Sequence, residues 1–169
     1  VGNASTLGLG GGIAMHDASP VLENVYVHGN TGLYGAGIFM NDSSPTMIDC
    51  VIADNPVITD NLSYTPKGGG IHMVDSTADL TDCDITGHTD LNQGGGIYGS
   101  AIDTAPIMTM TRGSVSGNTA AGISRSRRCR CQSSGRVIVS LFIVRLLLQA
   151  GDLQISVSWE SGYRAPMIP

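Results

Sequence analysis

Aromatic and charged side chains are scarce in this 169-residue chain, at 5% and 14%. With 23 Gly, that profile is neither a disordered composition nor an ordinary helical one. Basic residues are scarcest of all in the first part. Before Ile123 there are only Lys67 and Arg112, whereas seven Arg follow it. A formal net charge of −5 argues against a nucleic-acid or anionic-membrane partner. Long apolar runs are missing too. The run VIVSLFIVRLLL, residues 137–148, contains Arg145 and falls short of the roughly 20 residues a spanning helix needs, so no transmembrane segment is expected. No segment keeps a 3.6-residue period over a helix length. Cys50, Cys83, Cys129 and Cys131 lack the spacing of a disulfide framework. Cys129-x-Cys131 lacks the second ligand pair of a zinc site. The chain opens VGNASTLGLGGGI, without the charged-then-apolar order of a secretory leader.

What the chain does have is an internal repeat. GGGI or a close variant recurs with its Ile at 13, 38, 71 and 97, and as AAGI at 123, in steps of 25, 33, 26 and 26. An insertion around PVITDNLSYTPK accounts for the long step. Apolar rows recur after the glycines. Leu22, Met47, Leu80 and Met110 form one; Val25, Cys50, Cys83 and Gly113 the next; Val27, Ile52, Ile85 and Val115 a third. Ile13, Ile38, Ile71 and Ile97 form a fourth, followed two residues on by Met15, Met40 and Met73. Spacings of two predict short strands with alternate side chains inward. One coil cannot bury its apolar face alone, but stacked coils share a continuous core. The expectation is an all-β, single-stranded parallel β-helix, a solenoid of about four to five coils of ~26 residues. It covers 1–123 and is followed by an atypical tail, 124–169.

The corners fit that reading. Gly-Gly-Gly permits positive φ and close backbone approach where one coil turns onto the next. Asn30, Asn55 and Asn118, with His88 in the third coil, occupy one corner. Asn tolerates the left-handed region, and stacked amides can bond along the solenoid. Cys50 and Cys83 read as small buried hydrophobes rather than as a disulfide.

The pattern GGGIxMxDSSPxxxDCxIxxN resembles the right-handed β-helix repeats of the pectin-lyase-like superfold. It is most similar to the surface repeats of bacterial polymorphic outer-membrane proteins and related adhesin-like proteins, which carry GG(A/G)I and FxxN elements. Here Val27, Ile52 and Val115 replace the aromatic of FxxN. The resemblance spans residues 1 to about 123. It implies a right-handed solenoid at a bacterial cell surface or outer membrane, or secreted. The implied role is non-enzymatic: adhesin-like or structural display that binds carbohydrate or a host or cell-surface protein. The same superfold hosts polysaccharide lyases and glycoside hydrolases, so an enzyme acting on acidic polysaccharide is the alternative.

Candidate sites lie on outward rows. Ala14, Phe39, His72 and Tyr98 align on one, with neighbours about 5 Å apart. Phe39, His72 and Tyr98 are the candidate sugar-stacking strip. Asn24, Asp49, Asp82 and Arg112 form a polar row, with Asp84 beside Asp82. For the enzyme alternative, Asp49, Asp82, Asp84 and Arg112 are the candidate catalytic residues, Asp49 and Asp82 being close enough for a retaining carboxylate pair. The sequence lacks the clustered Asp with His-Gly and Arg-x-Lys that such glycosidases carry, so the ladder reads first as a solvated face. Asp17, Asp42 and Asp75 form a further row at a turn, each followed two residues on by Ser or Thr, a turn-capping pattern. Their oxygen ligands also make them candidates for weak Ca²⁺ binding. No other cofactor is implied.

The tail loses the repeat and turns basic. It is expected either to cap the last coil, whose core and strand edges would otherwise be open, or to be the repeat read in a shifted frame. With suitable codons for 128–133, a one-nucleotide advance yields Gly-Ala-Asp-Ala-Ser, close to the HDAS of the first coil. No functional residue is assigned there. Val1-Gly2-Asn3 matches the end of a coil, as at 115–118, so the chain is expected to be a piece of a longer solenoid.

Overall fold

The computed structural model describes residues 3–5, 8–58, 65–90, 94–103 and 107–120, together with the backbone of three later strands. The described residues are all-β, and the repeats of the sequence are repeats of structure. The first contributes β1 (Ile13–His16), β2 (Val21–Glu23) and β3 (Tyr26–His28). The second contributes β4 (Ile38–Asn41), β5 (Thr46–Ile48) and β6 (Val51–Ala53). In the third, β7 (Ile71–Val74) is followed by β8 (Thr77–Thr86), which runs through both later positions, and by β9 (Thr89–Asp90). The fourth repeats that plan with β10 (Ile97–Ser100), β11 (Ile107–Ser116) and β12 (Thr119–Ala120). From the tail come β13 (Arg130–Val139), β14 (Arg145–Leu146) and β15 (Ile155–Ser156).

Equivalent strands of successive repeats pair in parallel. One sheet has the order β1-β4-β7-β10. A second runs β2-β5-β8-β11-β13-β15-β14, with β3 and β6 joined to it through β8. A third pairs β9 with β12. The register places Ile13 beside Ile38, Ile38 beside Ile71 and Ile71 beside Ile97. Leu22 lies beside Met47, Met47 beside Leu80 and Leu80 beside Met110. Val27, Ile52, Ile85 and Val115 line up in the same way. Every one of these rows points inward. Met40, Met47, Ile52, Ile71, Met73, Leu80 and Ile85 are buried to within about a hundredth of their surface, in one core. Each such side chain is worth about 1.5–3 kcal/mol of transfer free energy, and it obtains that only by stacking on the next repeat. Cys50 and Cys83 belong to this core as free thiols. Each donates to backbone carbonyls, Cys50 to Ile48 at 3.2 Å and Cys83 to Thr81 at 3.3 Å. Burial pushes the Cys83 thiol up to about 11.

The chain turns at left-handed residues, and these recur by column. Asp17, Asp42 and Asp75 have φ of 49, 48 and 46°. Asn24, Asp49, Asp82 and Arg112 have φ of 54, 51, 53 and 59°. Asn and Asp tolerate that region because their short side chains bond locally. The two acidic rows of the sequence are thus, first, rows of corners. At the next corner the expectation is corrected. The left-handed residues are Gly29, Asp54, Gly87 and Gly117, each one place before the Asn or His of that column. The first glycine of each triplet, at 10, 35, 68 and 94, is also left-handed, with φ of 57–63°. The third is needed for closeness: a Cβ on Gly70 would lie 2.4 Å from the Gly96 carbonyl oxygen.

In the tail, β13 pairs parallel with β11 from Ile107–Arg130 to Val115–Val139, with a register shift between Thr111 and Gly113. It covers the β11 edge. β15 then pairs antiparallel with both β13 and β14. Cys129, and the side chain of Cys131, lie outside the described residues, as does most of 124–169. Among the described residues, no helix is long and apolar enough to cross a membrane.

Candidate functional site

Four groups of polar or aromatic side chains run along the stack. The most buried is the column Asn30–Asn55–His88–Asn118, each 5% exposed or less. Asn55 Oδ1 accepts both the backbone N–H and the side-chain amide of Asn30, at 3.0 Å each. Asn55 Nδ2 donates to the Val27 carbonyl at 3.0 Å and lies 3.2 Å from His88 Nε2. Asn118 Oδ1 accepts from the His88 backbone N–H at 3.0 Å and lies 2.9 Å from His88 Nδ1. An amide oxygen only accepts, so Nδ1 carries the ring proton and Nε2 accepts from Asn55. Burial holds the His88 imidazole below its usual range, against the opposing pull of Asn118 and Asp54. A shorter ladder lies across the core: Ser43 N donates to Ser76 Oγ at 3.1 Å, and Ser76 Oγ to the Val74 carbonyl at 2.6 Å.

Phe39, His72 and Tyr98 are brought together on the first sheet as the row requires, with Phe39 beside His72 and His72 beside Tyr98. Ring centroids stand 5.5 and 5.0 Å apart, edge to face. The row does not present an open strip, however. His72 is 5% and Tyr98 6% exposed, and only Phe39 is half-buried. Sequence reasoning missed the residues that flank it. Tyr34 packs at 5.6 Å from the His72 ring, and the Lys67 ammonium sits 5.1 Å from the Tyr98 centroid. Both stand immediately before a glycine triplet, and they pair with each other across repeats. That shared position was the signal that would have found them. His72 Nε2 lies 3.3 Å from Ser100 Oγ, while Nδ1 is buried with no partner among the described residues. Burial, with Lys67 adding to it, pushes His72 down to about 3. Burial pushes the Tyr98 phenol up.

The acidic rows are exposed apart from Asp75 and Asp82, which are half-buried. Arg112 Nε donates to Asp82 Oδ1 at 2.6 Å, and its Nη2 also contacts that carboxylate. This holds the Asp82 carboxyl below the ordinary carboxylate range. A general acid needs the opposite shift. Asp84 accepts from Ser114 Oγ at 2.6 Å, and Asp49 is exposed at its corner. The carboxylates proposed for calcium are engaged locally. Asp17 lies 3.2 Å from His16, Asp42 accepts from Asn41 at 2.6 Å, and Asp75 accepts from the backbone of Ile102 and Asp103 at 2.8 and 3.1 Å. A cation there would compete with those bonds.

These features define the chain as an all-β stack of parallel-paired repeats with polar columns at its corners. No known protein family, curated protein or solved structure matches it.

Proposed function

We propose that this chain forms a right-handed parallel β-helix that displays a surface rather than catalyses a reaction, as a secreted or bacterial cell-surface, adhesin-like or structural repeat. The observation that carries the reading is a contrast between columns of one strand set. The inward column Leu22–Met47–Leu80–Met110 is uniformly apolar. The neighbouring outward column, Val21–Thr46–Asp79–Thr109, changes chemistry at every step. A constant scaffold under a varied face suits recognition of a carbohydrate or a cell-surface protein. Val21, 66% exposed, lies in that column, and Tyr26, 58% exposed, stands outward on β3 beyond the Asn24 corner. The aromatic row Phe39–His72–Tyr98 supports sugar stacking only at Phe39, the one ring of the three that is not buried.

A polysaccharide lyase or glycoside hydrolase finds less support. Its carboxylates would be Asp49, Asp82 and Asp84, yet Asp82 is tied to Arg112 and shifted away from an acid's range. The test is to incubate the intact protein with acidic polysaccharides while following reducing ends and unsaturated uronate. Glycan arrays and whole cells are probed in parallel. Saturable binding without turnover is the expected result. Turnover that disappears in Asp82→Asn would overturn the display reading.

A further inference from the structure

The third repeat departs from its neighbours in two columns at once. Where the others carry Ala14, Phe39 and Tyr98 it carries His72; where they carry Asn30, Asn55 and Asn118 it carries His88. The two imidazoles are 5% and 0% exposed. Both are built in as neutral rings. His88 donates through Nδ1 to Asn118 and accepts through Nε2 from Asn55. A proton on Nε2 would set N–H against N–H. Asn55 cannot turn its oxygen round without losing both bonds from Asn30. The charged group facing His88 is Asp54, packed against Gly87, which favours the proton. Among the described residues, His72 is faced by Phe39, Tyr34, Tyr98 and Ser100, and by one charge, the Lys67 ammonium, which opposes the proton. Its free Nδ1 is shielded from solvent, so neither water nor a ligand reaches it in this arrangement.

We propose that the third repeat, residues 71–90, is an acid-sensitive joint: protonating His72 and His88 opens it while the repeats on either side stay paired. Repeats touch only their neighbours, so one can open at the cost of its own contacts. The stack is then continuous at neutral pH and divided at one defined place in acid. Burial lowers both histidines from the ordinary value of 6.5, His72 to about 3. Protection is therefore complete above about 6.5 and is lost as pH falls from there toward the folded values. At pH 5, His72 alone raises the opening equilibrium about 30-fold, and His88 adds to it.

Hydrogen–deuterium exchange of the full chain at pH 7.5 and 5.0, each normalised to the unfolded chain at the same pH, tests this. Protection in 71–90, and at Asp42, Asp49 and Ile107, which donate to it, is expected to fall about 30-fold or more relative to Ser44, Thr46 and Val51, which donate to the first repeat. The double variant His72→Phe, His88→Asn places in each position a residue its own column already carries, and it should abolish the difference. An equal fall at Ser44, Thr46 and Val51, or the same selective fall in the double variant, overturns the proposal. If that variant does not fold, His88→Asn alone decides: a reduced acid effect at 84–90 supports the joint, and an unchanged one refutes it.

Discussion

Two polar columns run the length of the same stack and differ in almost everything that matters energetically. Asn30–Asn55–His88–Asn118 faces inward, dry, with each amide or ring bonded to the next. Asn24–Asp49–Asp82–Arg112 faces outward at a left-handed corner; its Arg112–Asp82 pair is a surface contact with side chains 56% and 37% exposed. On paper both are ladders of polar residues at a period near 26. Solvent separates them. An unpaired group in the inner column loses its water as well as its partner, whereas one in the outer column is simply rehydrated. The inner column therefore specifies the register of the stack. The outer one is free to vary, which is why Arg can stand where the others have Asn or Asp.

The sharpest way to break this contrast is to delete one rung of each. Asn55→Ala removes the acceptor of two bonds and the donor of two more from a fully buried position. It is expected to cost about 3–4 kcal/mol, read as a lower urea midpoint of the full chain. Asp49→Asn, exposed and still suited to its corner, should change stability by less than about 0.5 kcal/mol. Comparable losses in the two variants would erase the distinction.

Acid separates the same two regions by pH window. A buried histidine whose folded value is lowered holds stability above about 6.5 and loses it as pH falls. For His72, at about 3 when folded, the loss relative to His72→Phe should reach about 3 kcal/mol at pH 4. Asp82 has the opposite chemistry. Its folded value is lowered by Arg112, so its contribution is present above the ordinary 3.8 and fades only below it. Urea titrations at several pH values should show the histidine-dependent loss first. Loss confined to below pH 4 would assign acid sensitivity to the carboxylates instead.

Glycine substitutions sharpen the contrast further. A Cβ at Gly70 would meet the Gly96 carbonyl oxygen at 2.4 Å and His88 Cε1 at 3.0 Å, beside the inner column. Gly70→Ala should cost about 2–3 kcal/mol through overpacking. Gly117 is exposed, with φ of 64° and nothing nearer than Thr86 Oγ1 at 3.4 Å. Gly117→Ala should cost only the left-handed penalty, about 1 kcal/mol. Thermal melts of the two variants give the comparison.

Much of this was legible in the sequence because alternation and a fixed period act on the same residues. Every apolar row read from spacing, from Leu22–Met47–Leu80–Met110 to Val27–Ile52–Ile85–Val115, is an inward column in register. The Asn column with its His88 substitute was legible too, since an amide at each turn has few other uses. Two things were not. The left-handed residue at that corner is the one before the Asn, a shift of one that a repeat alignment cannot reveal. The burial of His72 and Tyr98 depends on Tyr34 and Lys67, which come from the irregular connection rather than from a strand. Alternation assigns a side chain to a face; it does not say what else covers that face.

Arg112 offers the finest test, because two small effects there oppose each other. Its φ of 59° is uncommon for a long side chain, and its guanidinium is paired with Asp82. Arg112→Asn gives up the ion pair but supplies the residue that this corner carries as Asn24 in the first repeat. Solvent screens the lost pair, while relief of the backbone persists at any ionic strength. The urea midpoint should therefore stay level or rise slightly, and 0.5 M NaCl should move the parent and the variant alike. A clear fall in Arg112→Asn that salt reproduces in the parent would mean the outer column also holds the stack together, and that the division between a specifying interior and a free exterior is drawn in the wrong place.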